Sequence, residues 1–160
     1  PPNETVAHLG KSTGYDAALP DLEAALVWAK RTHPGVPVYV LGSSYSAALV
    51  FVLAAKHPHD VAAVMAFSPN EYLDNKQTVR TAAHQLRMPV FIDSAPDKDE
   101  VNAARMIYDV VPGTHKVQYV PANGVHGAST LREDRDPSGE QANWDALSAF
   151  LRMVRALPPA

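Results

Sequence analysis

Apolar and polar residues follow two rhythms along this chain, and the switches between them mark out its elements. Over residues 21–31, Leu22, Ala25, Leu26 and Ala29 recur at helical spacing and form one apolar stripe. His33-Pro34-Gly35 breaks that helix. Residues 36–41 (VPVYVL) are then a short β-branched run apolar on both faces, the mark of a strand buried in a parallel sheet. Gly42-Ser43-Ser44 turns directly into a helix rich in Ala, Leu and Val that runs to about Lys56, where His57-Pro58 stops it.

The same alternation repeats down the chain. Residues 61–67 (VAAVMAF) predict a second buried strand, followed by a polar helical stretch between about 70 and 87. Residues 89–92 (PVFI) predict a third strand with a helix over about 100–110, and residues 116–120 (KVQYV) a fourth. A last helix, about 140–156, carries Trp144, Leu147, Phe150, Leu151 and Val154 on one stripe. Strands alternating with helices predict an α/β fold: a parallel sheet of about four strands with helices on both faces and right-handed crossovers. Residues 1–15 are polar and broken by Pro and Gly, and are expected to form an extended N-terminal segment; residues 16–160 are expected to be a single domain.

At 160 residues the chain suits one domain with a real core. A net charge of −3 without a cluster of Lys and Arg argues against nucleic acid or an anionic membrane as the partner. No apolar stretch approaches the roughly 20 residues that span a bilayer, and residues 1–3 lack the pattern of a signal peptide. A soluble protein is expected, with its compartment open. With no Cys, a disulfide, a thiolate metal site and a Cys nucleophile are excluded. His57 and His59 alone make a poor metal site, and neither a metal nor an organic cofactor is expected. Gly10-Lys11-Ser12-Thr13 looks like the end of a phosphate-binding loop, but Thr5 stands where its first glycine belongs and no strand precedes it.

In a parallel α/β sheet, ligands bind beyond the carboxyl ends of the strands. That narrows the search to four turns, residues 42–46, 68–70, 93–99 and 121–127. The first holds hydroxyls, the third carboxylates and the fourth an imidazole, the parts of a nucleophile, an orienting acid and a general base.

Gly42-Ser43-Ser44-Tyr45-Ser46 resembles the Gly-x-Ser-x-Gly nucleophile elbow of the α/β-hydrolase superfamily, with Ser46 in place of the second glycine. The loop Pro121-Ala122-Asn123-Gly124-Val125-His126-Gly127 resembles the superfamily's catalytic-histidine loop. The resemblance runs from about residue 15 to the end, covers the later half to two-thirds of the usual domain, and is nearest to dienelactone-hydrolase-like and carboxylesterase-like members. It implies a serine hydrolase acting on a small-molecule ester or related acyl bond. Ser44 is then the nucleophile, His126 the base and Asp97 the acid, with Asp99 as the alternative acid or else the cap of the next helix. The Tyr45 backbone N–H is the implied oxyanion donor, while the second donor belongs to an earlier loop that this sequence does not contain. Asn70 and Tyr72 are candidate pocket residues by position.

One expectation concerns partners. As the first strand, residues 36–41 should lie at a sheet edge, where an all-apolar strand needs cover. That cover is expected from residues 1–15, from a strand-bearing segment outside this sequence, or from another chain, including a second copy. A non-catalytic hydrolase-like binding module stands as the alternative to the enzyme.

Overall fold

The computed structural model describes residues 4–10 and 14–158. Its strands β1 (Val38–Ser43), β2 (Val61–Phe67), β3 (Val90–Asp93) and β4 (Lys116–Tyr119) form one parallel sheet in the order β1-β2-β3-β4. The helices are α1 (Glu4–Leu9), α2 (Leu19–Thr32), α3 (Tyr45–Lys56), α4 (Thr78–Ala83), α5 (Lys98–Val110) and α6 (Glu140–Ala156), with 3-10 turns at Tyr15–Ala18 and Gly127–Leu131.

Because the strands advance across the sheet in sequence order, crossovers of one hand put their helices on one face. That is where α3, α4 and α5 lie, joined by α2, around a core of Phe51, Leu53, Val64, Ile92 and Ile107. Helix α6 closes the other face by packing Leu147, Phe150 and Val154 on Met65, Phe67 and Phe91. The rings of Phe91 and Phe150 sit 5.4 Å apart there, a favourable tilted contact. Being covered on both faces, β2 and β3 are almost wholly buried, whereas the outer strands β1 and β4 are half-buried.

Three elements differ from the sequence expectation. The first strand begins at Val38 rather than Val36, because Pro37 has no N–H to give to a ladder. It also runs on through Gly42 and Ser43, which pair with Ala66 and Phe67. The helical stretch expected over 70–87 contracts to α4, with a loop before it. The segment expected to be extended contains α1, whose Glu4 in the first turn and His8 in the last both suit the helix dipole. Residues 1–3 and 11–13 of that segment lie outside the described residues.

Among the described residues β1 pairs only with β2, so its other edge is open, and Leu41 is 46% exposed. An apolar groove of about 180 Å³ runs beside it, lined by Leu22, Leu26, Val38, Val40 and Leu53 among others. No helix is long and apolar enough to cross a membrane among the described residues.

Candidate active site

The turn from β1 into α3 is held by sterics and by the sheet. Ser44 is the N-cap of α3 with φ 58° and ψ −125°, a left-handed conformation unusual for a residue with a side chain. Such a residue costs about 1–3 kcal/mol and persists only where its surroundings over-determine it. Here its N–H donates to the Phe67 carbonyl at 2.9 Å, extending the ladder past the end of the strand. Gly42 must be glycine, since a Cβ there would stand 2.3 Å from the Ser46 carbonyl oxygen. Ser46 does more than replace a small residue. Its hydroxyl accepts the Ser43 N–H at 2.9 Å and donates to the Ser43 carbonyl at 2.8 Å, tying the turn to the first residues of the helix.

Opposite Ser44 stands His126. Its Nε2 lies 2.9 Å from Ser44 Oγ, and its Nδ1 lies 2.5 Å from Glu100 Oε1. With the Nδ1 proton directed at the carboxylate, Nε2 is left as the acceptor for the serine proton. The serine and the histidine named from sequence are therefore brought together, and the carboxylate beside the imidazole is that of Glu100. Asp97 is the N-cap of α5, exposed, with its carboxylate accepting the backbone N–H of Glu100 at 3.1 Å. Asp99 is exposed in the first helical turn, where a negative charge suits the dipole. Neither is the carboxylate at the imidazole. The Asp97-x-x-Glu100 spacing is that of a capping box, and it was the available signal. A cap fully accounts for Asp97 and leaves Glu100 as the carboxylate at the imidazole.

The loop bearing His126 is fastened from below. Ser43, the residue before the nucleophile, accepts the Ala128 N–H on its Oγ at 2.9 Å. Gly127 follows the histidine with φ 71°, and a Cβ there would meet Ser43 Oγ at 2.4 Å. Sequence reasoning also passed over Ser68, directly after β2. Its Oγ donates to Glu100 Oε2 at 2.5 Å and accepts the Gly127 N–H at 2.8 Å. Glu100 Oε2 accepts the Ala95 N–H as well, at 3.1 Å.

Around the serine, Tyr45 opens α3, so its N–H is one of those an α-helix leaves without a partner inside the helix. Its ring stacks on Tyr15 with centroids 4.6 Å apart. The Tyr72 hydroxyl donates to the Ser68 carbonyl at 3.2 Å. Burial first, and then the Glu100 carboxylate, push the Tyr72 phenol above its ordinary range, while a hydrogen bond with Ser44 acts the other way. Asn70 is exposed, with its side chain accepting the N–H of Glu71 at 2.7 Å.

Beneath the site Asp93 ends β3 fully buried, and neither carboxylate oxygen makes a hydrogen bond of normal geometry among the described residues. Burial pushes it up to about 7; the Ser94 backbone N–H opposes that, and the nearby charges of Asp136 and Glu100 reinforce it. Among the described residues no three His, Asp or Glu side chains converge as a metal site.

The family model for serine aminopeptidase, S33, matches residues 4–105, well over half of the chain. The chain belongs to that family of α/β-hydrolases. The match includes Ser44 and Glu100 and ends before His126. Among solved structures, a zinc-bound cold-adapted esterase from an Arctic intertidal metagenomic library aligns at TM-score 0.64 with 17% identity. The alignment covers 86% of this chain and 60% of that one, so the chain spans about three-fifths of the esterase's length. At that identity the likeness shows the α/β-hydrolase fold and nothing finer. No curated protein matches the chain.

Proposed function

We propose that the protein is a serine hydrolase that cleaves an ester or related acyl bond through an acyl-enzyme on Ser44. One observation carries this reading: Ser44 Oγ, His126 and Glu100 form a continuous hydrogen-bonded line at a strained strand-to-helix turn. Ser44 Oγ attacks the acyl carbon and His126 Nε2 takes its proton. Glu100 holds the imidazole in that tautomer and stabilises the imidazolium. The Tyr45 N–H donates to the oxyanion at the helix N-terminus. His126 then returns the proton to the leaving alcohol, and water repeats the sequence on the acyl-enzyme. None of these steps needs a metal or organic cofactor.

The substrate in this proposal is a small-molecule ester of the kind taken by carboxylesterases and dienelactone-hydrolase-like enzymes. Tyr72 stands near enough to Ser44 to border the nucleophile, and Asn70 enters the reading from its place in the turn after β2. The test is intact mass after incubation with a fluorophosphonate probe. One adduct on the parent, absent from Ser44→Ala and His126→Ala, supports the reading; no adduct on a folded sample rejects it. Comparing p-nitrophenyl acetate with an aminoacyl p-nitroanilide then separates an esterase from an aminopeptidase.

The open edge of β1 favours a second reading, in which another strand completes the site. That strand would come from a further segment or from a second copy of the chain, and would bring a second oxyanion donor. Losing one such donor costs roughly 100- to 1000-fold in rate. A domain that takes no label in either state is instead a hydrolase-like binding module. Native mass separates the cases: labelling confined to a dimer supports completion by a second copy, and labelling of the monomer rejects it.

A further inference from the structure

We propose that Ser68 is a positioning residue of this site, whose hydroxyl clamps the acid Glu100 to the loop that carries His126. The inference rests on the serine-hydrolase reading and adds a member to it. Among the described residues only Ser44 and Ser68 have positive φ without being glycine, and Ser68 sits at φ 53° at the end of the neighbouring strand. A residue held there is over-determined by its contacts, and for Ser68 all of them are visible. Its N–H donates to the Asp93 carbonyl at 2.7 Å, and its own carbonyl accepts the Tyr72 hydroxyl. Its Oγ uses the donor on Glu100 Oε2 and accepts the Gly127 N–H. The residue is buried, and every polar atom it has is satisfied within the site.

That hydroxyl joins three separate pieces of chain: the end of β2, the first turn of α5 and the residue after His126. Glu100 Oε1 faces the imidazole only while Oε2 is anchored, because a glutamate side chain turns freely about its terminal bonds. Removing the hydroxyl leaves Oε2 with the Ala95 N–H alone and strips the buried Gly127 N–H of its partner. Both ends of the His126–Glu100 pair then loosen at once. Ser68 lies behind Glu100 rather than at the substrate, so the loss should fall on kcat and spare KM.

The experiment compares Ser68→Ala and Ser68→Gly with the parent in kcat and KM on p-nitrophenyl acetate, in the rate of fluorophosphonate labelling, and in thermal melting. Glycine adopts φ 53° without strain, so Ser68→Gly removes the hydroxyl while sparing the backbone, and it keeps the test decisive if Ser68→Ala does not fold. Both folded variants are expected to lose roughly 10- to 100-fold in kcat, the scale of a small misplacement of catalytic groups, with KM within about twofold. Labelling should slow in parallel even where Ser68→Gly melts no lower than the parent. A folded variant that keeps its kcat within about twofold, beside a parent that labels at Ser44, overturns the positioning role alone. A parent with neither hydrolysis nor a Ser44-dependent adduct overturns the hydrolase reading, and the role of Ser68 falls with it.

Discussion

The Asp97 carboxylate accepts the backbone N–H of Glu100 at 3.1 Å, so Asp97 is occupied by the cap of α5 while the Glu100 carboxylate faces His126. Asp97 serves the first helical turn through that cap, whereas the Glu100 carboxylate is held at the imidazole by Ser68 and the Ala95 N–H. The two residues should therefore respond to substitution in opposite ways. Glu100→Gln is expected to lower kcat about 10²- to 10⁴-fold with little change in melting, as when a catalytic imidazole loses its orienting charge. Asp97→Ala should cost about 1 kcal/mol of stability, the usual value of a cap, and leave kcat within a few-fold. Steady-state kinetics and denaturant titration of both variants check this; a larger kinetic loss at Asp97 would return the acid to that position.

Replacing Ser46 by glycine would complete the superfamily pattern at the elbow, yet it should harm the protein. The Ser46 hydroxyl makes two bonds to Ser43, and glycine inside a helix is itself unfavourable. Ser46→Gly is expected to lose about 2 kcal/mol and Ser46→Ala about 1 kcal/mol, from the bonds and from helix propensity. Equal or greater stability for the glycine variant, read from urea midpoints, would show the hydroxyl to be idle.

Gly127 is the point where the histidine loop meets the elbow. A Cβ added there would overlap Ser43 Oγ, and φ 71° disfavours any side chain. Gly127→Ala is expected to cost about 1–3 kcal/mol and to displace His126 from Ser44. Fluorophosphonate labelling should then fall by at least about 10²-fold in the protein that remains folded. Labelling at the parental rate would mean that the loop absorbs the methyl group.

Asp93 predicts a pH dependence of stability. With its folded value raised to about 7, the native state holds this proton over a range where the unfolded chain has released it. Its contribution is fully present below the unfolded value of about 4 and is lost as pH rises towards 7. The loss is on the order of a few kcal/mol. Urea unfolding at pH 5 and pH 8 should show the parent weaker at the higher pH and Asp93→Asn much less so. The same drop in both proteins would remove Asp93 as its source.

How much of this was legible beforehand follows from the range of the forces involved. Hydrophobic period, Pro and Gly breaks and strand composition act within a few residues, and they determined the alternating elements, the parallel sheet and the turns where chemistry would sit. Gly42 and Ser44 were readable because a tight strand-to-helix turn leaves few residue types possible. The ends of β1 were not, since pairing of Gly42 and Ser43 with β2 outweighs their poor strand propensity. The choice of Glu100 over Asp97 and Asp99 could not come from composition, because three carboxylates within four residues are chemically alike. It came from the helix start, which places one on the capped N–H and another across the loop. Ser68 was invisible for the same reason: its partners, Glu100 and Gly127, are 32 and 59 residues away. The sequence by itself determined the kinds of groups at the strand ends; only the tertiary structure decided which of them touch, because hydrogen bonds form over about 3 Å and the chain sets such distances only once its sheet is assembled.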